Sequence, residues 1–447
     1  MMYRFKPFRL ILAAWLACAA SGASATEVQR VVSQSGIEAW LLEDHSVAVI
    51  AIEFSFDGPG VVDPKGKPGV AHLLSSLLDE GAGPYSGEDF QRRLQSKGIT
   101  LGFSADRDGF FGSLKTLSKD REEAFELMML ALTQPRLEAA AVERMRRAVM
   151  SDISRSLADP DYLSRRAWFA TAFPDHPYGE PIIGTHESIA AIDVTELRRM
   201  AERGFNTQHL TIGVAGDITP DQLTTALDQI FGTLPKGGMP GNIPDVTPRN
   251  SGQIVHVPLP TPQSVILAGH KGIERSDPRW FAAEIMNYVL GGGVFTSRLM
   301  NEIRVKRGLT YGISSYLLSF DHAALIMAGG ATANATAGEF VGLLETEWAR
   351  MAQDGPNGDD VAAAKAYLTG SFPLQLTSSD GIARLLLQIQ RDKLGIDYIE
   401  KRAALIDAVT VADVQTIARE ILDPKALIFT IVGQPQGVPS LKSSAPP

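Results

Sequence analysis

"VTELRRMAERGFNTQHLTIGVAGD", residues 194–217, returns as "VADVQTIAREILDPKALIFTIVGQ", residues 411–434, at an offset of 217. Each copy reads as an amphipathic helix, a turn and an apolar strand that ends at a glycine. Two further pairs keep the same order: "KGITLGFSA" (97–105) with "RGLTYGISS" (307–315), offset 210, and "AVERMRRAVM" (141–150) with "DVAAAKAYLT" (360–369), offset 219. Chance gives one such match; three in register, drifting only by small insertions, mean a duplicated unit. The chain therefore reads as two homologous halves, 26–236 and 252–435. Between them a linker, 237–251, sits in the Pro/Gly-rich stretch "PKGGMPGNIPDVTPRNSGQ" (235–253). A flexible tail is expected over 436–447.

Within each half, strands alternate with helices. "SVAVIAIEFSF" (46–56) has period-two alternation and reads as a strand; 69–80 and 87–97 read as helices. Residues 99–116 read as two strands around the turn "DRDG", followed by amphipathic helices at 118–133 and 137–157 and the strand "HLTIGVAG". The expected class is α+β: two halves, each a mostly antiparallel sheet with helices packed on one face.

Bulk properties narrow the function. Residues 1–25 read as a cleavable signal peptide: Arg4, Lys6 and Arg9, an apolar run from Leu10 to Ala20, then Ala23-Ser24-Ala25. That run falls short of the ~20 residues that span a bilayer, so export to the periplasm is expected rather than anchoring. Cys18 is the only cysteine, which leaves the mature chain without disulfides, thiolate nucleophiles or cysteine-type zinc sites. Losing three basic residues with the signal takes the net charge from −9 to −12, which disfavours nucleic acid and anionic membranes as partners. No G-x-S-x-G, H-E-x-x-H, Walker or dinucleotide fingerprint is present.

One short stretch carries a trace of metal chemistry. "GVAHLLSSLLDEGAG" (69–83) sets His72 on an expected helix. An inverted zinc-peptidase motif, H-x-x-E-H, needs a general base at i+3 and a second imidazole at i+4. Those places are Ser75 and Ser76. A neutral hydroxyl is a poor zinc ligand and cannot act as a general base near neutral pH. His72 then reads either as a structural histidine or as part of a rearranged metal site using Asp79 one turn further on. "HPYGEPIIGT" (176–185) contains His176, but Pro177 and Pro181 flank it and it reads as a structural loop.

With these stretches in hand, the chain resembles the pitrilysin (insulinase-type, inverzincin) zinc peptidases, in particular short-chain members with two homologous halves. The resemblance covers almost the whole mature chain. Its landmarks are 69–83, 176–185, the block "LGGGVFTSRLMNEIRVKRGLTYGISS" (290–315) and the glycine after the terminal strand. It implies that the family's zinc ligands and base fall at His72, Ser75, Ser76 and, 76 residues beyond Ser76, Asp152, so that the zinc set is degenerate here. It also implies a role for Arg307 and Tyr311 in "KRGLTYG": in the family such a pair hydrogen-bonds bound peptide near the scissile carbonyl. A guanidinium and a phenol suit that task, since both donate to an oxygen that gains charge. The first half has Lys97 and Leu101 at the same places.

The resemblance further implies a subunit without its own metal or cofactor, paired with a homologous H-x-x-E-H chain that holds the zinc. The two would enclose unfolded peptide. A purely structural or binding protein on the same fold, with Arg307 and Tyr311 incidental, is the alternative. A third reading is an enzyme with a rearranged metal site.

Overall fold

Each repeat is organised around one long strand buried on both faces, Val49–Asp57 in the first half and Gln263–Lys271 in the second. The computed structural model describes residues 27–58, 62–238, 242–293, 295–439 and 442–443; the signal segment read at 1–25 lies outside them. The first half runs β1 (Val28–Val32), β2 (Glu38–Glu43), β3 (Val49–Asp57), α1 (Val70–Ser75), β4 (Gly81–Ala82), β5 (Tyr85–Ser86), α2 (Gly87–Lys97), β6 (Thr100–Ala105) and β7 (Gly109–Leu117). It continues through α3 (Arg121–Thr133), α4 (Ala139–Ser156), α5 (Pro160–Ala172), α6 (His186–Ala191), α7 (Val194–Gly204), β8 (Leu210–Gly216) and α8 (Pro220–Phe231). The second half has β9 (Ile254–Pro258), β10 (Gln263–Lys271), α9 (Trp280–Asn287), π-helical stretches Tyr288–Gly292 and Met300–Val305, β11 (Ile313–Ser319) and β12 (Ala324–Ala333). It closes with α10 (Ala337–Asp354), α11 (Gly358–Ser371), α12 (Ser379–Arg391), α13 (Tyr398–Ala408), α14 (Val411–Ile421), β13 (Ile428–Gly433) and β14 (Lys442–Ser443).

The sheets repeat the same order, β1-β2-β8-β3-β7-β6 and β14-β9-β13-β10-β12-β11. Both are antiparallel except at the pairs β2–β8 and β9–β13, one place in from the edge, and where β14 runs parallel to β9. Local chemistry repeats too. The helices α7 and α14 open with reciprocal capping boxes, Asp193 with Glu196 and Thr410 with Asp413. The strands that follow end at Gly216 (φ 119°) and Gly433 (φ 141°), where a Cβ would press on Val49 O at 2.0 Å and Gln263 O at 2.9 Å. Only glycine meets both demands there.

The outer face of each sheet is covered by a helix from the other half. Ile382, Ala383 and Leu386 of α12 pack on Leu42, Ala51 and Ala215 of the first sheet. Reciprocally, Trp168, Phe169 and Ala172 of α5 pack on Leu267, Leu325, Met327 and Ile428 of the second. Polar bonds fix the exchange: Trp168 Nε1 donates to Ile428 O at 3.0 Å, Thr430 Oγ1 to Ser164 O at 2.9 Å, and Gln390 Nε2 to Ile212 O at 2.8 Å. The own-half helices pack on the inner faces, as the sequence implied; the exchanged pair was not read from it.

Two local expectations change. The helix expected over 69–80 stops at Ser75, and 76–80 are turns leading into β4. Part of the tail expected to be flexible is tied down: Gln436 N donates to Asn334 O at 2.9 Å, and Lys442–Ser443 pairs with β9. The cause is the bare outer edge of β9, where the first half has the five-residue β1.

Gly213 tests the exchange. A Cβ there would lie 2.2 Å from Ala383 O and 2.7 Å from Leu387 N, both backbone atoms of α12. Gly213→Ala is expected to destabilise by about 1–3 kcal/mol, read as a lowered urea midpoint. Gly342→Ala, within α10 and facing open space, should be neutral or slightly stabilising.

Candidate functional site

The helix α1 is short and depends on an outside cap. Gly69 adopts φ 95°, and Asp63 accepts from Gly69 N at 2.6 Å and from Ala71 N at 2.8 Å. Burial pushes the Asp63 carboxyl up to about 6, against the pull of those amides. The 176–185 loop closes over the same place. Ser188 Oγ, just beyond it, donates to Pro68 O at 2.7 Å, and a Cβ on Gly184 would meet that oxygen at 2.6 Å. His176 is buried, bonds through Nε2 to Pro244 O at 3.0 Å and accepts from Tyr178 N at 3.2 Å, a structural assignment.

Every residue of α1 except His72 is buried. Burial lowers the His72 pKa, and the charge of Asp152 on α4 partly restores it. The fold thus brings His72 and Asp152 within electrostatic reach, while Asp152 is ion-paired to Arg155 one turn along. The serines turn inward: Ser75 Oγ donates to His72 O and Ser76 Oγ to Leu73 O, each at 2.8 Å. Asp79 accepts from Gln91 Nε2 at 3.0 Å and so serves α2. Among the described residues no three His, Cys, Asp or Glu side chains are grouped to hold a metal ion. One imidazole, one committed carboxylate and two self-bonded hydroxyls do not fit zinc.

Arg307 and Tyr311 lie in the other half, on the loop between the second π-helical stretch and β11. Arg307 Nη1 is held by Glu302, at 2.8 Å from its carbonyl and 3.0 Å from its carboxylate. Gly308 takes φ 65°, matching Gly98 at φ 63° in the first repeat. Thr310 Oγ1 donates to Gly312 O at 2.8 Å and accepts from Gly312 N at 3.1 Å, a tight turn with Tyr311 at its apex. Tyr311 is 89% exposed, whereas Leu101, its counterpart, is 8% exposed within the first core. The repeats share a backbone here and differ in what they present. Sequence reading missed Glu302 and Asp63; an acid one helical turn before "KRG" was the available signal for the first.

Two similar halves, a metal motif reduced to one histidine and an exposed Arg/Tyr loop define a peptidase-like scaffold. The comparisons give its family. The model "Insulinase (Peptidase family M16)" matches residues 42–186, and "Peptidase M16 inactive domain" matches 191–368. The chain belongs to peptidase family M16. It is 24% identical over 372 residues to an uncharacterized zinc protease of Streptomyces coelicolor, covering 81% of this chain and 80% of that one. It is 26% identical over 348 residues to the non-peptidase homolog YmxG of Helicobacter pylori, covering 77% and 79%. The fold matches the crystal structure of a peptidase M16 inactive domain from Pseudomonas fluorescens with TM-score 0.85 and 24% identity, over 92% of this chain and 99% of that one.

The environment of His72 predicts its titration. Followed by NMR, with His72→Gln for assignment, the imidazole should titrate below the ordinary histidine value. Asp152→Asn should lower it further, because the helping charge is gone. An unchanged titration in Asp152→Asn would mean the two do not face each other.

Proposed function

We propose that this chain is the non-catalytic, substrate-binding subunit of a periplasmic two-chain zinc peptidase. A homologous partner with an intact H-x-x-E-H motif would hold the zinc, and Arg307 and Tyr311 would reach bound peptide at the partner's metal. One observation carries the reading. The metal motif of this chain is closed on itself, with both serine hydroxyls bonded to α1, while Tyr311 projects from an anchored turn at 89% exposure. A phenol that packs against nothing contributes no stability; a role in binding gives it a reason. The Helicobacter pylori relative is a non-peptidase homolog by name, which supports the same reading.

The chemistry expected of the pair is limited. Tyr311 donates a hydrogen bond to the carbonyl oxygen as charge builds on it, and Arg307 supplies a permanent positive charge. Neither activates water, so neither hydrolyses a peptide without a partner.

Two outcomes test this. The purified mature chain should hold no stoichiometric zinc by elemental analysis and cleave no unstructured peptide; about one tightly held zinc with chelator-sensitive cleavage would overturn it. Mixed with the H-x-x-E-H partner, it should form a complex on size-exclusion chromatography that cleaves faster than either chain. In that complex Tyr311→Phe should lower turnover by ~100- to 1000-fold with unchanged assembly, and Leu101→Ala should leave no catalytic signature. Near-normal turnover for Tyr311→Phe in an intact complex would favour the scaffold reading.

A further inference from the structure

Where the halves meet, five aspartates crowd one guanidinium. Asp57 ends β3, Asp106 and Asp108 lie in the β6–β7 turn, Asp321 in the β11–β12 turn, and Arg391 and Asp392 at the end of α12. The Arg391 side chain is only 10% exposed; its Nε lies 3.3 Å from Asp57 Oδ1 and its Nη2 3.7 Å from Asp321 Oδ2. Its guanidinium sits over the Phe111 ring, 4.8 Å from the centroid. Arg391 Nε and Asp57 Oδ1 are both buried without a well-formed hydrogen bond, so the pair is held by charge more than by geometry.

Tyr178 donates to Asp108 and accepts from His322 N at 3.0 Å, and Asp321 N donates to Asp108 Oδ2 at 3.2 Å. Asp106 accepts from Asp108 N and Gly109 N. Arg107 turns away, donating to Tyr178 O at 3.0 Å over the Phe169 ring. Arg275 lies 3.8 Å from Asp392, which also accepts from Gln388. His322 faces Asp245 of the linker at 3.1 Å, and His176 holds Pro244 O. Asp57, Asp321, His322, Arg391 and Asp392 also line a cleft of about 1250 Å³, through which protons and water reach the cluster.

We propose that this cluster is a pH-responsive clasp between the halves, closing as Asp57 and Asp108 take up protons and loosening as they ionise. Three of the carboxylates belong to the first half and two to the second, so ionised they repel across the junction that Arg391 bridges. Burial pushes Asp57 and Asp108 up to about 6 and raises Asp106 and Asp392 as well. For Arg391, burial opposes the charge, yet Asp57, Asp321, Asp106 and Asp108 outweigh it and leave its pKa raised. The folded state therefore binds extra protons between about pH 4 and 6. The stability they bring is fully present below about pH 4, is lost progressively as pH rises from about 4 to about 6, and is gone above that. The neighbours do not reverse the sign. Burial lowers His176, Tyr178 is raised and stays a phenol, and His322 is paired with Asp245 rather than with the cluster.

The test is amide hydrogen exchange on the full chain at about pH 5 and about pH 7.5, corrected for intrinsic exchange. Protection at the end of α12 and in the β11–β12 turn should be about tenfold greater at the lower pH. Asp57→Asn/Asp108→Asn keeps the shape, removes both charges, and should hold the higher protection at both pH values. Equal protection of the unaltered chain at the two pH values, or a full pH response in the double variant, overturns the proposal. If the double variant does not fold, Asp321→Asn, on the exposed turn, should still raise protection at pH 7.5; no change there counts against the clasp.

Discussion

Two sheets with central strands buried on both faces can be satisfied only if something covers each outer face, and here each half covers the other's. The exchange of α5 and α12 makes the halves mutually dependent. Trp168, fully buried, sits under the second sheet although α5 belongs to the first half of the chain. Truncating a buried Trp costs about 3–5 kcal/mol, so this one contact is comparable to a large part of the stability of a typical domain. The junction is thus set by packing. The charged groups at its rim, with Arg391 among five aspartates, act on a geometry the apolar exchange has already fixed.

That rigidity lets the two repeats diverge in what they display without diverging in fold. Gly98 and Gly308 end their helices in the same left-handed conformation, and the strands that follow occupy equivalent edge positions. In one repeat the third residue after the glycine is Leu101, absorbed into the core; in the other it is Tyr311, presented at the apex of a turn. The metal motif diverges in the opposite sense, since α1 carries its last imidazole in the first half and α9 carries none in the second. The first half keeps the single histidine of the motif and the second the exposed turn that carries Tyr311.

How much of this the sequence carried follows from what patterning encodes. The duplication was legible because capping residues, terminal glycines and apolar spacing recur at fixed offsets, each imposing its own local geometry. The exchanged helices were not legible. An amphipathic segment such as Leu163–Ala167–Trp168 announces a buried face but not which sheet it covers. Strand β3 shows the same ambiguity: Ile50, Ile52, Phe54 and Phe56 face their own core, while Ala51, Glu53 and Ser55 read as a solvated face. In the fold Ala51 packs under α12, Glu53 pairs with Arg384, and all three are buried. Small and polar residues on a strand's second face can mark a close-packed helix as well as water. His72, Ser75, Ser76 and Asp152 were legible as a depleted set, but the inward bonding of the serines depends on where α1 stops. That point is set by Asp63, Gly69 and the loop over them.

The pattern of what is missing at the metal site has its own physical logic. Ser75 is 7% exposed, so a glutamate there with no metal to face would be a buried, unpaired charge costing several kcal/mol. A second imidazole in place of Ser76 would be a partly buried polar group with no metal to bind. Serine removes both problems, because its hydroxyl is short enough to bond the carbonyl one turn back on its own helix. Asp152 remains tolerable because it lies on the exposed side of α4 with Arg155 within reach, and His72 because burial keeps it neutral. Ser75, Ser76 and Asp152 are thus each satisfied by the chain itself. Tyr311 obeys no such rule: its phenol stands in solvent at the apex of a turn that Thr310 and Gly312 hold in place.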